Sequence, residues 1–119
     1  QQCLNAQDNM RSVCFKSFGR DAAGHTLRDP VKILEICAKV PPQEDYYKQC
    51  IIGAVNVIVD FWGPALQNQA SQLCMLTMEP HKETCYQILA GRLNDVFKDS
   101  PDRQRVCATF EQNYQKLCQ

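Results

Sequence analysis

The chain has 119 residues and a mass of 13.6 kDa, enough for one domain spanning residues 1–119. Thirteen Lys and Arg offset thirteen Asp and Glu, a balance that argues against nucleic-acid binding and against a polybasic membrane anchor. The longest apolar stretch, Ile51 to Trp62, is broken by Gly53, Asn56 and Asp60. It falls far short of the roughly 20 residues of a spanning helix, so no membrane insertion is expected.

In chain order the sequence predicts seven helices, over about 3–12, 13–26, 30–40, 44–61, 64–77, 81–97 and 101–118, the last broken near Asn113. No segment alternates as a strand does. Asp29-Pro30, Gly63-Pro64 and Ser100-Pro101 each place a capping residue before a proline, a start signal because proline lacks the N–H that a first helical turn leaves unpaired. Val31, Leu34, Cys37 and Val40 form one apolar stripe, as do Leu66, Ala70, Leu73 and Thr77, and Val106, Phe110, Tyr114 and Leu117. The helix after Glu44 is apolar nearly all round, which predicts a central buried position with close approach of a neighbour at Gly53.

Eight cysteines stand at 3, 14, 37, 50, 74, 85, 107 and 118. Two histidines and the absence of any Cys-x-x-Cys leave no metal site and no thioredoxin-like motif. An even, high count then reads as disulfides and an oxidising, extracytoplasmic setting: periplasm, cell surface or secreted. Short gaps alternate with long ones, and every second cysteine recurs after 33 to 37 residues, the length of a helical hairpin. Bridged cysteines need Cα atoms about 4.4–6.8 Å apart, closer than equivalent points on packed helices at about 8–10 Å. The bonds should therefore join neighbours: Cys3–Cys14, Cys37–Cys50, Cys74–Cys85 and Cys107–Cys118. Residues 4–13 and 108–117 contain no proline or glycine, so turns are expected near Asp8-Asn9 and Gln112-Asn113 to let those two pairs meet. The expected fold is all-α: a short right-handed α-solenoid of about three hairpins, 13–40, 44–77 and 81–112.

Alternating cysteines that staple hairpins of this length resemble the bacterial cysteine-rich, tetratricopeptide-like hairpin-repeat proteins. The resemblance implies a secreted or periplasmic α-solenoid used for protein contacts, and transfers no functional residue. The expected role is a non-catalytic module that binds another protein or a peptide, with self-association as a further option and no cofactor. The alternative is a small carrier holding an apolar ligand between helices, in a pocket lined from Val55, Ile58 and Leu89.

Three groups of candidate binding residues follow. Asp21 and His25 lie four apart, beside Arg20 and the small residues Gly19, Ala22, Ala23 and Gly24. They could tune a base or ligate a metal, against the simpler reading of a surface pair at a helix end. Asn56 and Asp60 share one face of the apolar helix, where a carboxylate should have a raised pKa unless paired. Tyr46, Tyr47 and Trp62 could anchor a contact or cap the core.

Overall fold

A computed structural model describes residues 2–41, 45–62, 67–98 and 100–118. The described residues form helices joined by turns, with no strand. A 3-10 turn at Gln2–Asn5 precedes α1 (Asp8–His25), α2 (Pro30–Cys37), α3 (Tyr46–Trp62), α4 (Gln67–Leu76), α5 (Lys82–Phe97) and α6 (Pro101–Cys107), and a 3-10 helix over Gln112–Cys118 follows. Long helices of 18, 17 and 16 residues alternate with short ones of 8, 10 and 7. The long ones pack in sequence, α1 on α3, α3 on α5, and α5 on the C-terminal 3-10 helix, while α2 packs on α4 and α4 on α6. The molecule measures 43 × 26 × 25 Å.

All four disulfides join the expected neighbours, with Cα–Cα distances of 5.5, 5.8, 5.3 and 6.0 Å in chain order. One local device recurs at each. The carbonyl of the first cysteine accepts a hydrogen bond of 3.2 Å from the N–H three residues on: Ala6 to Cys3, Val40 to Cys37, Thr77 to Cys74 and Phe110 to Cys107. The chain thus turns immediately after each of these cysteines and brings its partner within bridging distance.

That device corrects two expected boundaries. Residues 3–12 and 13–26 are not separate helices, because the chain turns at Ala6-Gln7 and α1 then runs unbroken through Cys14. Asp8 and Asn9 begin this helix instead of forming a turn, and the Arg11 guanidinium donates back to the Ala6 carbonyl at 3.2 Å. At the other end α6 stops at Cys107, five residues before the expected turn, and Ala108–Glu111 separate it from the 3-10 helix. The first and third hairpins accordingly comprise 8–37 and 82–107.

Two of the three start signals act as expected. Asp29 accepts from the Val31 and Lys32 N–H groups at 3.0 and 3.3 Å, and Ser100 from Asp102 N–H at 3.1 Å, each with proline at the first helical position. The Gly63-Pro64 signal lies outside the described residues. Asp29→Ala and Ser100→Ala should each cost about 1 kcal/mol, read as a lower urea midpoint with an unchanged slope. Unchanged midpoints at both would remove these caps from the account.

The core follows the pattern of α3, where Cys50, Ile51, Ala54, Val55, Val57, Ile58 and Val59 are all buried. Ala70 and Leu73 of α4 join it, with Thr77 just beyond that helix, as do Cys85, Leu89 and Leu93 of α5. The closest helix crossing is α1 on α3. A Cβ at Gly19 would stand 1.8 Å from the Cys50 carbonyl oxygen, and one at Gly53 would stand 1.9 Å from the Lys16 carbonyl oxygen. Each glycine therefore faces the other helix one turn before the other glycine. This is the close approach expected at Gly53, and Ala22 and Ala23 are buried on the same helix as Gly19.

Candidate functional site

The stripe expected on α2 splits in two. Ile33, Cys37 and Val40 are buried, whereas Val31 is 55% exposed and Leu34 is half-buried. The outward residues line a groove between α2 and α4. Its origin lies at the end of α1, where Leu27 and Arg28 adopt positive φ angles of 54° and 68°. The Arg28 N–H closes on the Ala23 carbonyl at 2.9 Å, and Thr26 Oγ1 donates to the Ala22 carbonyl at 2.8 Å. The chain reverses there and enters α2 through the Asp29 cap, leaving Leu27 71% exposed.

The groove has two halves that share Val31 and Leu76. The wider half, about 530 Å³, is bounded by Thr26, Leu27 and Asp29 on one side and by Gln69 and Gln72 of α4 on the other. The narrower half, about 330 Å³, is formed by Val31, Leu34, Ala38 and Leu76, with Glu35 at its rim. Leu76 is 52% exposed; Met75 and Met78 are exposed as well, but neither lines this groove. Gln69 Oε1 is buried and has no hydrogen-bond partner among the described residues. A smaller depression continues between α4 and α6, where Ser71 and Thr109 hydroxyls meet at 2.6 Å.

The residues singled out in the sequence lie elsewhere and apart from one another. Asp21 and His25 are exposed on the last two turns of α1, with no hydrogen bond or ion pair between them, and Arg20 is half-buried. Asp60 is held by Arg92 of α5 in a two-pronged pair, Nε to Oδ1 at 2.8 Å and Nη2 to Oδ2 at 2.6 Å. The hydrogen bonds and charge of Asp60 raise the pKa of that guanidinium. Asn56, one turn before, is half-buried. Tyr46 is a core residue, 2% exposed and stacked on Phe15 at 4.2 Å. Tyr47 is half-buried against His81, with ring centroids 4.9 Å apart. The side chain of Trp62 lies outside the described residues. Val55, Ile58 and Leu89 are fully buried, and none of them lines the grooves.

A second cluster escaped sequence reasoning because it joins distant segments. Tyr86 donates its hydroxyl to Glu111 Oε1 at 3.0 Å, and Lys82 Nζ is 3.2 Å from the same oxygen. The Tyr86 ring stacks on Tyr114 at 4.4 Å and lies against Phe110 at 5.0 Å. Burial first, then the bond to Glu111, pushes the Tyr86 phenol well above its ordinary value, and burial raises Tyr114 and Tyr47. The folded state thus favours protonated phenols. Their contribution to stability is complete below a pH of about 10 and is lost as the pH climbs beyond it. An alkaline titration of tyrosinate absorbance should show delayed ionisation that coincides with unfolding, and Tyr86→Phe should remove part of the delay. Simple titration of Tyr47, Tyr86 and Tyr114 near a pH of about 10 would contradict this.

Among the described residues no group of His, Cys, Asp and Glu is placed to hold a metal, and no helix is long and apolar enough to cross a membrane. No protein-family model, curated protein or solved structure matches the chain.

Proposed function

We propose that the chain is an extracytoplasmic interaction module: a short right-handed α-solenoid of hairpin repeats, stapled by disulfides, that binds another protein through the α2–α4 face. The observation that carries the reading is the groove itself. A chain that fills its core with Val55, Ile58 and Leu89 leaves Leu27, Val31 and Leu76 between 52% and 71% exposed around one depression. Clustered apolar exposure of this kind marks binding surfaces. Four disulfides support the compartment, since structural bonds of this kind form and persist chiefly in oxidising settings. The similarity of spacing to cysteine-rich tetratricopeptide-like proteins supports the use of a stacked helical face for contact.

The test is site-directed photo-cross-linking in extracellular fluid of the source. A cross-linker at Val31 or Leu76 should capture one protein that excess unlabelled chain displaces and excess Leu76→Asp chain does not. A cross-linker at the exposed Gly91 of α5, a helix that does not pack on α2, should not capture it. Equal capture from both positions would refute the assignment of the face. Native mass spectrometry showing a bound apolar small molecule, with no protein captured, would establish the carrier reading in its place.

A further inference from the structure

We propose that Met10, Met75 and Met78 are sites of reversible oxidation by peroxide, taken up as methionine sulfoxide without loss of the fold, and that the depression between α4 and α6 holds the oxidised form of Met75. The inference is independent of the interaction reading and of the groove that carries it. Methionine is ordinarily among the most buried residues. Here all three methionines are exposed, Met10 at 49%, Met75 at 43% and Met78 at 59%. The buried apolar side chains are those of Val, Ile, Leu, Phe, Tyr, Ala and Cys, with no methionine among them. All eight cysteines are in disulfides, so no thiol competes for the oxidant.

The step needs hydrogen peroxide alone. A lone pair of the methionine Sδ attacks one peroxide oxygen, the S–O bond forms and the O–O bond breaks. The leaving hydroxide takes the proton from the transferred oxygen and departs as water, so sulfur is oxidised and peroxide reduced. A dithiol-dependent sulfoxide reductase reverses the change, releasing the oxygen as water and becoming a disulfide. In a core the new oxygen would be an unpaired acceptor that breaks the packing. At these three surface positions it meets water. Met75 has a further feature. It lines a depression of about 230 Å³ with Asn68, Ser71, Gln72 and Thr109. A helical side chain leans toward the N-terminus, over the residues three and four positions earlier, which here are Gln72 and Ser71. Thr109 Oγ1 donates to the Val106 carbonyl, so the Ser71 hydroxyl donates to Thr109 and has no proton to spare. The exposed Asn68 and Gln72 amides remain as donors to the depression. An amide N–H bonds a thioether only weakly and a sulfoxide oxygen well. The sulfoxide sulfur is chiral. Donors on one side of it therefore favour the epimer whose oxygen points at them.

The test is treatment of the intact, disulfide-bonded protein with hydrogen peroxide beside a free methionine derivative as internal standard, followed by digestion and mass spectrometry. Met10, Met75 and Met78 should each gain one oxygen at a rate within about fivefold of the standard. The fully oxidised protein should keep all four disulfides, and its unfolding temperature should fall by less than about 3 °C. Sulfoxide reductases specific for each epimer should find near-equal amounts at Met10 and Met78, and an excess of roughly threefold or more at Met75. The double substitution Asn68→Ala with Gln72→Ala touches only exposed side chains. It should leave the oxidation rate unchanged and level the epimers at Met75.

A methionine that reacts more slowly than this, or a larger fall in unfolding temperature on oxidation, would overturn the proposal. Near-equal epimers at Met75 in the parent protein, or an excess that survives loss of both amides, would overturn the part played by the depression. Neither result bears on the α2–α4 groove, whose cross-linking test stands apart.

Discussion

Alanine at Gly53 lowers the unfolding temperature by about 10 °C, from a loss of about 2–3 kcal/mol in a chain of this size. The cause is the backbone of the facing helix. The new methyl would overlap the Lys16 carbonyl oxygen at 1.9 Å and approach its carbon at 2.9 Å, and a carbonyl inside a helix cannot swing aside as a side-chain tip can. The two longest helices must separate, and α1 on α3 is the most extensive contact in the molecule. Gly19→Ala meets the same obstacle at Cys50 and has a similar effect. The double variant costs less than the sum, because one separation relieves both clashes. The control is Gly91→Ala. That glycine is exposed in the middle of α5 and a Cβ there meets nothing within 4 Å. Alanine should stabilise the protein by about 0.5–1 kcal/mol through helix propensity alone. Thermal unfolding of these variants checks the pair of opposite signs. Equal, small effects at positions 53 and 91 would contradict the crossing geometry.

Removal of Cys74–Cys85 by paired alanine substitutions has the other large effect, a loss of about 3–5 kcal/mol. The loops closed by the four bonds span 11, 13, 11 and 11 residues, so chain entropy alone assigns each about 3 kcal/mol. Burial separates them. Cys37, Cys50, Cys74 and Cys85 are fully buried at the junctions between hairpins, whereas Cys14 is half-exposed. The two central pairs should therefore cost the most when removed and Cys3–Cys14 the least, nearer to about 2–3 kcal/mol. Against a total stability of about 5–15 kcal/mol, loss of both central bonds should unfold the chain. Urea unfolding of the paired variants tests the ranking, and Cys3–Cys14 proving the costliest bond would reverse it.

The cysteine spacing made all four bonds legible before any coordinates. Pro30 and Pro101 marked two helix starts because each follows a residue whose oxygen can cap. Val57, Ile58 and their neighbours marked α3 as the buried helix because only the narrow edge of Asn56 and Asp60 is polar. The turns after Cys3 and Cys107 were not legible. Nothing in residues 4–13 or 108–117 breaks a helix by local preference, so the hydrogen-bonded turn after each of these cysteines had no signal in residue type. The groove was hidden for another reason. Periodicity places Val31 and Leu34 on a stripe with Cys37, but cannot show that the covering element reaches Ile33 and Cys37 and stops short of Val31. The amide-rich run Gln67 to Gln72 followed by Met75-Leu76, without a single charge, was the available signal for the other wall of the groove. Tyr86, Glu111 and Tyr114 were invisible because their meeting depends on where the last turn falls.

The account depends most on how the cysteines are paired across the junctions. Peptide mapping of the unreduced protein tests this directly. Trypsin leaves Cys50 and Cys74 on one peptide, 49–82, so a second cut by chymotrypsin at Phe61 or Trp62 is needed to part them. The account predicts four linked pairs, Cys3 with Cys14, Cys37 with Cys50, Cys74 with Cys85 and Cys107 with Cys118, and no free thiol. A linkage between cysteines of different junctions, or free thiols in the native protein, would contradict it.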